Sequence, residues 1–293
     1  MKENGYKDAA ALRRALEARL KRQSDADGTD LGRLRRRVVF DRLATRLSAD
    51  SEGEWILKGG AALEFRLRDR ARATKDLDLA VRATDLNGDT VRDALLDALG
   101  EDPDGDWFAF RIAPPVALAA DAGGRPAWRF SVEARLAGKP FAGIRLDVAA
   151  RGEEVATTEP LALLGVLDFA GIPARTIEAV DRRQHFAEKL HAFSRDYGDR
   201  PNTRVKDLAD LVLLIETGLN PDRELHDVVR HVFTVRATHS LPHALPDPPP
   251  VWRETYPSLA YGLTETAPSL DAALNLLRTF WGKAVADTTG TEL

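Results

Sequence analysis

Between Trp55 and Val81 the chain runs a short apolar strand pattern into two adjacent glycines, a helical pattern, a basic connection and an alternating Asp-Leu-Asp-Leu strand. No other stretch restricts the fold so tightly. Trp55–Leu57 reads as a strand, Gly59-Gly60 as a turn, and Ala61–Arg68 as a helix with Leu63 and Leu67 four apart on one face. Glycines at a helix start let backbone amides approach a phosphate closely. Downstream, Asp76 and Asp78 leave one face of a strand while Leu77 and Leu79 enter the core. Two like charges held that close call for a cation. Hard oxygen ligands favour Mg²⁺, commonly held by a carboxylate pair together with substrate phosphates.

A third carboxylate is expected, because two-metal phosphoryl transfer needs ligands for the ion at the attacking hydroxyl as well as for the ion on the triphosphate. Asp147 in Ile144-Arg145-Leu146-Asp147-Val148 suits that role, alternating with Arg145 on one strand face. Arg145 could equally be its ion-pair partner. Thr74 lies two residues before Asp76, so period two puts its hydroxyl on the carboxylate face. There it would bond a nucleotide phosphate or a metal-bound water, or simply cap the strand entry.

The second half adds a helix, His185-Phe186-Ala187-Glu188-Lys189-Leu190-His191-Ala192-Phe193, then a polar loop at Tyr197–Asn202 and a second helix from Arg204. Asp207 and Asp210 fall three apart on one face of that helix. Glu-Lys-Leu-x-Ala, a basic loop and Arg-x-Lys-Asp-x-x-Asp-Leu, following the Gly-Gly and Thr-x-Asp-x-Asp signatures, resemble the AbiEii/AbiGii nucleotidyltransferase toxin family with its MenT-like members. The motifs occur in family order over roughly residues 55–215.

The resemblance implies a polymerase β-type nucleotidyltransferase fold. It implies that Lys58, Gly59, Gly60 and Thr74 bind the nucleotide, that Asp76 and Asp78 ligate Mg²⁺, that Lys189 contacts the triphosphate and that Asp210 is an essential acid. A compact cation on a rigid helix suits Lys189 to neutralise the departing pyrophosphate. Asp210 would either orient Lys189 or accept a proton, the orienting role being preferred. Asp207 is read as a partner of Arg204 or Lys206.

Although the net charge is −4, residues 1–46 hold an excess of cations, among them Arg13, Arg19, Arg33, Arg42 and Arg46. Such a patch is the footprint of phosphate-backbone contact, and Arg35, Arg36 and Arg37 are the RNA-binding candidates. The competing reading is a solvated amphipathic helix, given the stripe Leu12, Leu16, Leu20. Zero cysteines exclude disulfides, thiolate metal sites and cysteine catalysis. The 6 histidines show no metallohydrolase spacing. No run approaches a membrane span and the charged N-terminus lacks an apolar signal core, so a cytoplasmic protein is expected, and a monomer.

A polar, proline-ended stretch at 151–160 suggests a division into an α/β lobe (1–155) with a mixed sheet and basic N-terminal helices, and a mainly helical lobe (156–293). Ala127–Leu136 and Phe141–Val148 read as strands; Leu161–Phe169, Phe186–Arg195, Val205–Glu216, Glu224–Val232 and Leu270–Val285 read as helices. Leu241–Pro257, centred on Pro248-Pro249-Pro250, reads as an extended loop. The nucleotide would sit between the lobes. The resemblance implies a toxin of a toxin–antitoxin system, with a cognate antitoxin as partner, that adds nucleotides from an NTP, often a pyrimidine, to the 3′ end of tRNA and so blocks aminoacylation. Transfer to a protein or small-molecule hydroxyl, or a non-catalytic nucleotide-binding module, are the alternatives.

Overall fold

A computed structural model describes residues 5–83, 86–119 and 125–289. Helix α1 (Ala9–Asp27) starts at Asp8, whose carboxylate accepts from the Ala11 amide at 2.7 Å, and stops at Gly28 in the left-handed conformation. Its stripe of Leu12, Leu16 and Leu20 is buried. Helix α2 (Leu31–Ala49) buries Leu34 and then every residue from Val38 to Leu47, where it packs on the sheet.

The chain continues through β1 (Trp55–Lys58), α3 (Gly59–Leu67), β2 (Asp76–Val81), α4 (Gly88–Gly100), β3 (Phe108–Ile112), β4 (Val116–Ala117), β5 (Ala127–Leu136), β6 (Lys139–Ala150), β7 (Thr158–Ala162) and β8 (Thr176–Val180). All these strands form one mixed sheet in the order β3-β5-β6-β2-β1-β8-β7, with β4 paired to β5. The central β2 runs parallel to β6 and antiparallel to β1. One face buries Leu57, Leu77, Leu79, Phe130, Leu146 and Val148 in a core shared with α1, α2 and α4. Alternation therefore puts Lys58, Asp76, Asp78, Arg129 and Asp147 on the other face.

Beyond the sheet come α5 (Arg182–Ser194), α6 (Val205–Glu216), α7 (Arg223–Arg236), α8 (Trp252–Ala260) and α9 (Leu270–Thr289). They enclose a second core around Phe186, Leu190, Leu211, Trp252, Tyr256 and Trp281. Helix α3 is the joint between the two cores. Ala61, Ala62 and Phe65 enter the first, and Leu63 the second. A helix gripped from both sides fixes the glycines at its start relative to α5 and α6.

The mixed α/β sheet followed by helices is as the sequence predicts, but three boundaries differ. Leu161–Phe169 is not a helix: Thr158–Ala162 is β7 and Asp168–Ala170 a single 3₁₀ turn. Pro160 is tolerated because β7 is an edge strand, and Gly165 at φ +68° interrupts any helical run. Because β7 and β8 complete the sheet, the passage from sheet to helices falls at Asp181 and not within 151–160. The stretch 241–257 does contain helix, since α8 starts at Trp252. The carbonyls of Pro249 and Pro250 accept from the amides of Trp252 and Arg253 at 3.0 Å, so the prolines lead into the first turn and Pro257 sits inside the helix. Among the described residues no helix is long and apolar enough to cross a membrane.

The N-terminal cations are largely committed within the fold. Arg42 and Arg46 are fully buried: Arg42 lies against Asp41, Asp104 and Asp106, and Arg46 donates to Asp106 at 2.7 and 3.0 Å. Arg35 binds Glu17 at 2.7 Å, and Arg37 reaches Glu64 and Asp69 at 3.6 and 3.3 Å. Arg36 is 3.8 Å from Asp30 and borders the cleft described next. The Arg35-Arg36-Arg37 run is thus not a set of free cations, because acids distant in sequence fold back onto two of its members.

Candidate active site

Strand register assembles the sheet half of the site. Lys58 on β1 stands opposite Asp78 on β2, Asp78 opposite Asp147 on β6, and Asp147 opposite Arg129 on β5. One row across four strands therefore reads Lys, Asp, Asp, Arg. In the next row Asp76 stands opposite Arg145. Arg129 grips Asp147 with two hydrogen bonds of 2.8 and 2.6 Å, and Arg145 donates to Asp76. The Arg145–Asp147 pairing considered from sequence is not formed. Residues two apart on a strand share a face but lie along it, whereas neighbours across the ladder meet directly.

Gly59 and Gly60 are the first residues of α3, and their lack of a side chain is a steric necessity. Gly59 has φ +62°, and a Cβ there would come within 2.0 Å of Asp78 Oδ2. A Cβ on Gly60 would meet Thr74 Oγ1 at 2.9 Å. The glycines thus let the start of α3 close on the carboxylate strand. Thr74 is buried, and its hydroxyl donates to the Asp76 carbonyl at 3.1 Å, the strand-entry role.

The helical half comes from α5 and α6. Lys189 Nζ sits 2.8 Å from Asp207 Oδ1 and 2.9 Å from Asp210 Oδ2. Asp207 thus partners Lys189 first, with Arg204 farther away at 3.7 Å. Asp210 is buried and also receives two hydrogen bonds from Arg72, at 2.8 and 2.7 Å. Burial works to raise the Asp210 pKa, but Lys189 and Arg72 outweigh it and hold it below the usual carboxylate range. An acid so clamped orients Lys189 and is a poor proton acceptor. Burial opposes the charge of Lys189, yet Asp210 and Asp207 prevail and keep the amine protonated well above its ordinary range.

Asp78 differs from its neighbours. It makes no hydrogen bond or ion pair with the described residues, and burial pushes its carboxyl up to about 6. Lys189 and Lys58 draw that value down while Asp147 and Asp76 raise it. Neither lysine is free to compensate it, because Lys189 is held by its two aspartates and Lys58 by Glu188 at 2.9 Å. Asp76, Asp78, Gly60, Arg72, Thr74 and Lys189 line a cleft of about 510 Å³ between sheet and helices. Asp147 faces Asp78 but is turned to Arg129, and among the described residues no group of three or more acidic, histidine or cysteine side chains is gathered to hold a metal ion. The donor set suits a hard divalent cation on the Asp76–Asp78 pair, its remaining ligands being substrate oxygens.

Sequence reasoning missed Arg72, Arg129 and Glu188. Arg72 was within reach, since Arg72, Thr74, Asp76 and Asp78 continue one period-two series. Arg129 depends on the β5–β6 register, which no local pattern reveals. His191 is a packing residue, edge-on to Phe233 with ring centroids 4.9 Å apart.

The model of one protein family, the nucleotidyl transferase AbiEii toxin of type IV toxin–antitoxin systems, matches residues 41–276. The chain belongs to the AbiEii family. It is a nucleotidyltransferase, and the cleft residues Gly60, Arg72, Thr74, Asp76, Asp78 and Lys189 lie inside the matched span. Residues 35–37 and α1 lie outside it. Among solved structures, an antigenic nucleotidyltransferase-like protein from Paracoccidioides brasiliensis aligns at 16% identity and TM-score 0.41, covering 69% of this chain and 92% of that one. A candidate nucleotidyltransferase from H. pylori aligns at 13% identity and TM-score 0.42, covering 88% of this chain and 95% of that one. No curated protein matches the chain.

Proposed function

We propose that this AbiEii-family toxin transfers a nucleotidyl group from a nucleoside triphosphate, a pyrimidine one by preference, to the 3′-terminal hydroxyl of tRNA, with Mg²⁺ on Asp76 and Asp78. The observation that carries this reading is Asp78, a half-buried carboxylate without a hydrogen-bond or ion-pair partner among the described residues, which faces two committed lysines and two further aspartates. Bound Mg²⁺ would supply the missing positive charge and neutralise the triphosphate. In the transfer, the acceptor oxygen forms a bond to the α-phosphorus and gives up its proton to solvent water, the bond from the α-phosphorus to the bridging oxygen breaks, and pyrophosphate leaves. Lys189, fixed by Asp207 and Asp210, lies where it can stabilise charge developing on the departing phosphates. The start of α3, opened by Gly59 and Gly60, offers backbone amides to the same anion.

An exposed 3′ terminus is a suitable acceptor because it is single-stranded and can enter a cleft. Extension beyond the native 3′ terminus would block aminoacylation and translation, the toxic outcome; the family implies a cognate antitoxin that prevents it. Cytoplasmic tRNA as substrate places the protein in the cytoplasm. The test incubates α-labelled CTP, UTP, ATP and GTP separately with total tRNA and Mg²⁺, then maps the label. Label on the tRNA 3′ end, strongest with CTP or UTP, is expected; label only on protein or on small molecules refutes the acceptor assignment.

A further inference from the structure

Beside the catalytic cleft lies a second, smaller pocket of about 190 Å³, lined by Arg151, Arg195, Arg204 and Arg236 around Tyr197. No acidic side chain is among its lining residues. The pocket joins the catalytic cleft through Arg204, which lines both. Its cations come from the end of β6, the end of α5, the loop before α6 and the end of α7, so the fold has gathered residues that the sequence scatters over more than eighty positions.

Two of these arginines, Arg151 and Arg236, are held from behind by an acid. Behind the pocket Glu154 is fully buried and is approached by Arg236 at 2.6 Å, Arg151 at 3.5 Å, Arg125 at 3.6 Å and Lys58 at 3.8 Å. Glu188 adds one more carboxylate, 4.0 Å from Arg236. Burial works to raise the Glu154 pKa, and Lys58 and Arg236 overcome this, holding it at about 2. Arg204 has Asp207, itself held by Lys189. Arg195 makes no hydrogen bond or ion pair with the described residues and lies 5.6 Å from the Tyr197 ring centroid, while Arg204 donates to the Tyr197 hydroxyl at 3.1 Å. A concave surface on which four guanidinium groups meet, one of them (Arg195) without an ion-pair partner among the described residues, favours the entry of an anion.

We propose that this arginine pocket is a phosphate-binding subsite, taking a phosphate group of one of the two substrates whose reacting ends meet in the adjoining cleft. Guanidinium forks match phosphate oxygens in pairs, and Arg195 and Arg204 both gather over the Tyr197 ring at the pocket. The phosphate belongs either to the triphosphate or to the backbone of the acceptor strand. The second source rests on the reading of the acceptor as RNA; the first does not.

Arg195 is the residue to vary, because it makes no hydrogen bond or ion pair with the described residues and meets only the ring of Tyr197 among the pocket's aromatic groups. The full-length Arg195→Ala and Arg195→Lys variants are titrated with an NTP in Mg²⁺ and, separately, with a short single-stranded RNA ending in a free 3′ hydroxyl, over a range of salt. Arg195→Ala is expected to weaken one of the two about tenfold, the scale of a lost charge-assisted hydrogen bond, and Arg195→Lys to recover part of the loss. A loss confined to RNA, with its salt slope flatter by about 0.7, assigns the acceptor backbone. A loss confined to NTP assigns the triphosphate. Unchanged affinity for both ligands, with an unchanged melting temperature, overturns the subsite. Because binding is read without transfer, absence of label on tRNA in the acceptor experiment leaves this outcome separately readable.

Discussion

Two dense charge networks flank the sheet, and they differ in whether their charges close. Under the apolar face, Arg42 and Arg46 of α2 meet Asp41, Asp102, Asp104 and Asp106, every member is paired, and the network opens to solvent only at Asp102 and Asp104. On the other face Lys58, Lys189, Arg72, Arg129 and Arg145 meet an equally rich set of acids, yet Asp78 is left over. A closed network holds a helix to a sheet. One with a surplus carboxylate in a cleft marks a candidate binding site.

The largest expected effect breaks the closed network. Arg46→Ala leaves Asp106 buried without its main partner and should cost about 3–5 kcal/mol in denaturant unfolding, enough to threaten folding. Loss of less than about 1 kcal/mol would mean that the network is incidental. In the open network the consequence is opposite. Asp78→Asn removes a half-buried charge that has no ion-pair partner among the described residues, so transfer should fall by about 10²-fold or more while the melting temperature holds or rises. A fall in both would move Asp78 into the structural class.

A smaller effect comes with acid. Burial, Arg236 and His239 hold His191 down at about 3, well under the 6.5 of a free imidazole. The unfolded chain therefore takes up a proton between pH 6.5 and 3 that the folded chain refuses, so stability should decline as pH falls through that window, by on the order of 3 kcal/mol from this group. His191→Gln should flatten the decline; an identical pH profile would remove His191 as its source. The smallest effect is expected from Arg35→Ser together with Arg37→Ser. These arginines serve Glu17, Glu64 and Asp69, so RNA affinity and its salt slope should barely move, and stability should drop by about 1 kcal/mol. A clear loss of salt dependence would return them to the RNA surface.

The sequence made the two halves of the site legible to different degrees. Period two placed Asp76 and Asp78 on one face of β2, and the Lys189 and Asp210 motifs lay on helices whose apolar spacing was plain. What could not be read were pairings made by register or by folding back: Arg129 on Asp147, Arg145 on Asp76, and Glu64 on Arg33 and Arg37. A run of arginines looks the same whether its acids are near or thirty residues away. For that reason the basic N-terminal stretch suggested a nucleic-acid surface, while the acid-free arginine pocket, assembled from four separated elements, left no local signal. Strand β7 was misread because an apolar run bounded by Pro160 and Gly165 carries no period of its own.

The central claim is that Asp78 awaits a cation carried with the nucleotide. Calorimetric titration of a non-hydrolysable NTP, with and without Mg²⁺, into the wild-type protein and Asp78→Asn tests it most directly. Tight binding by the wild type only with Mg²⁺, and loss of that metal dependence in Asp78→Asn, is the predicted result. Equal, Mg²⁺-dependent affinity in both proteins would contradict the account.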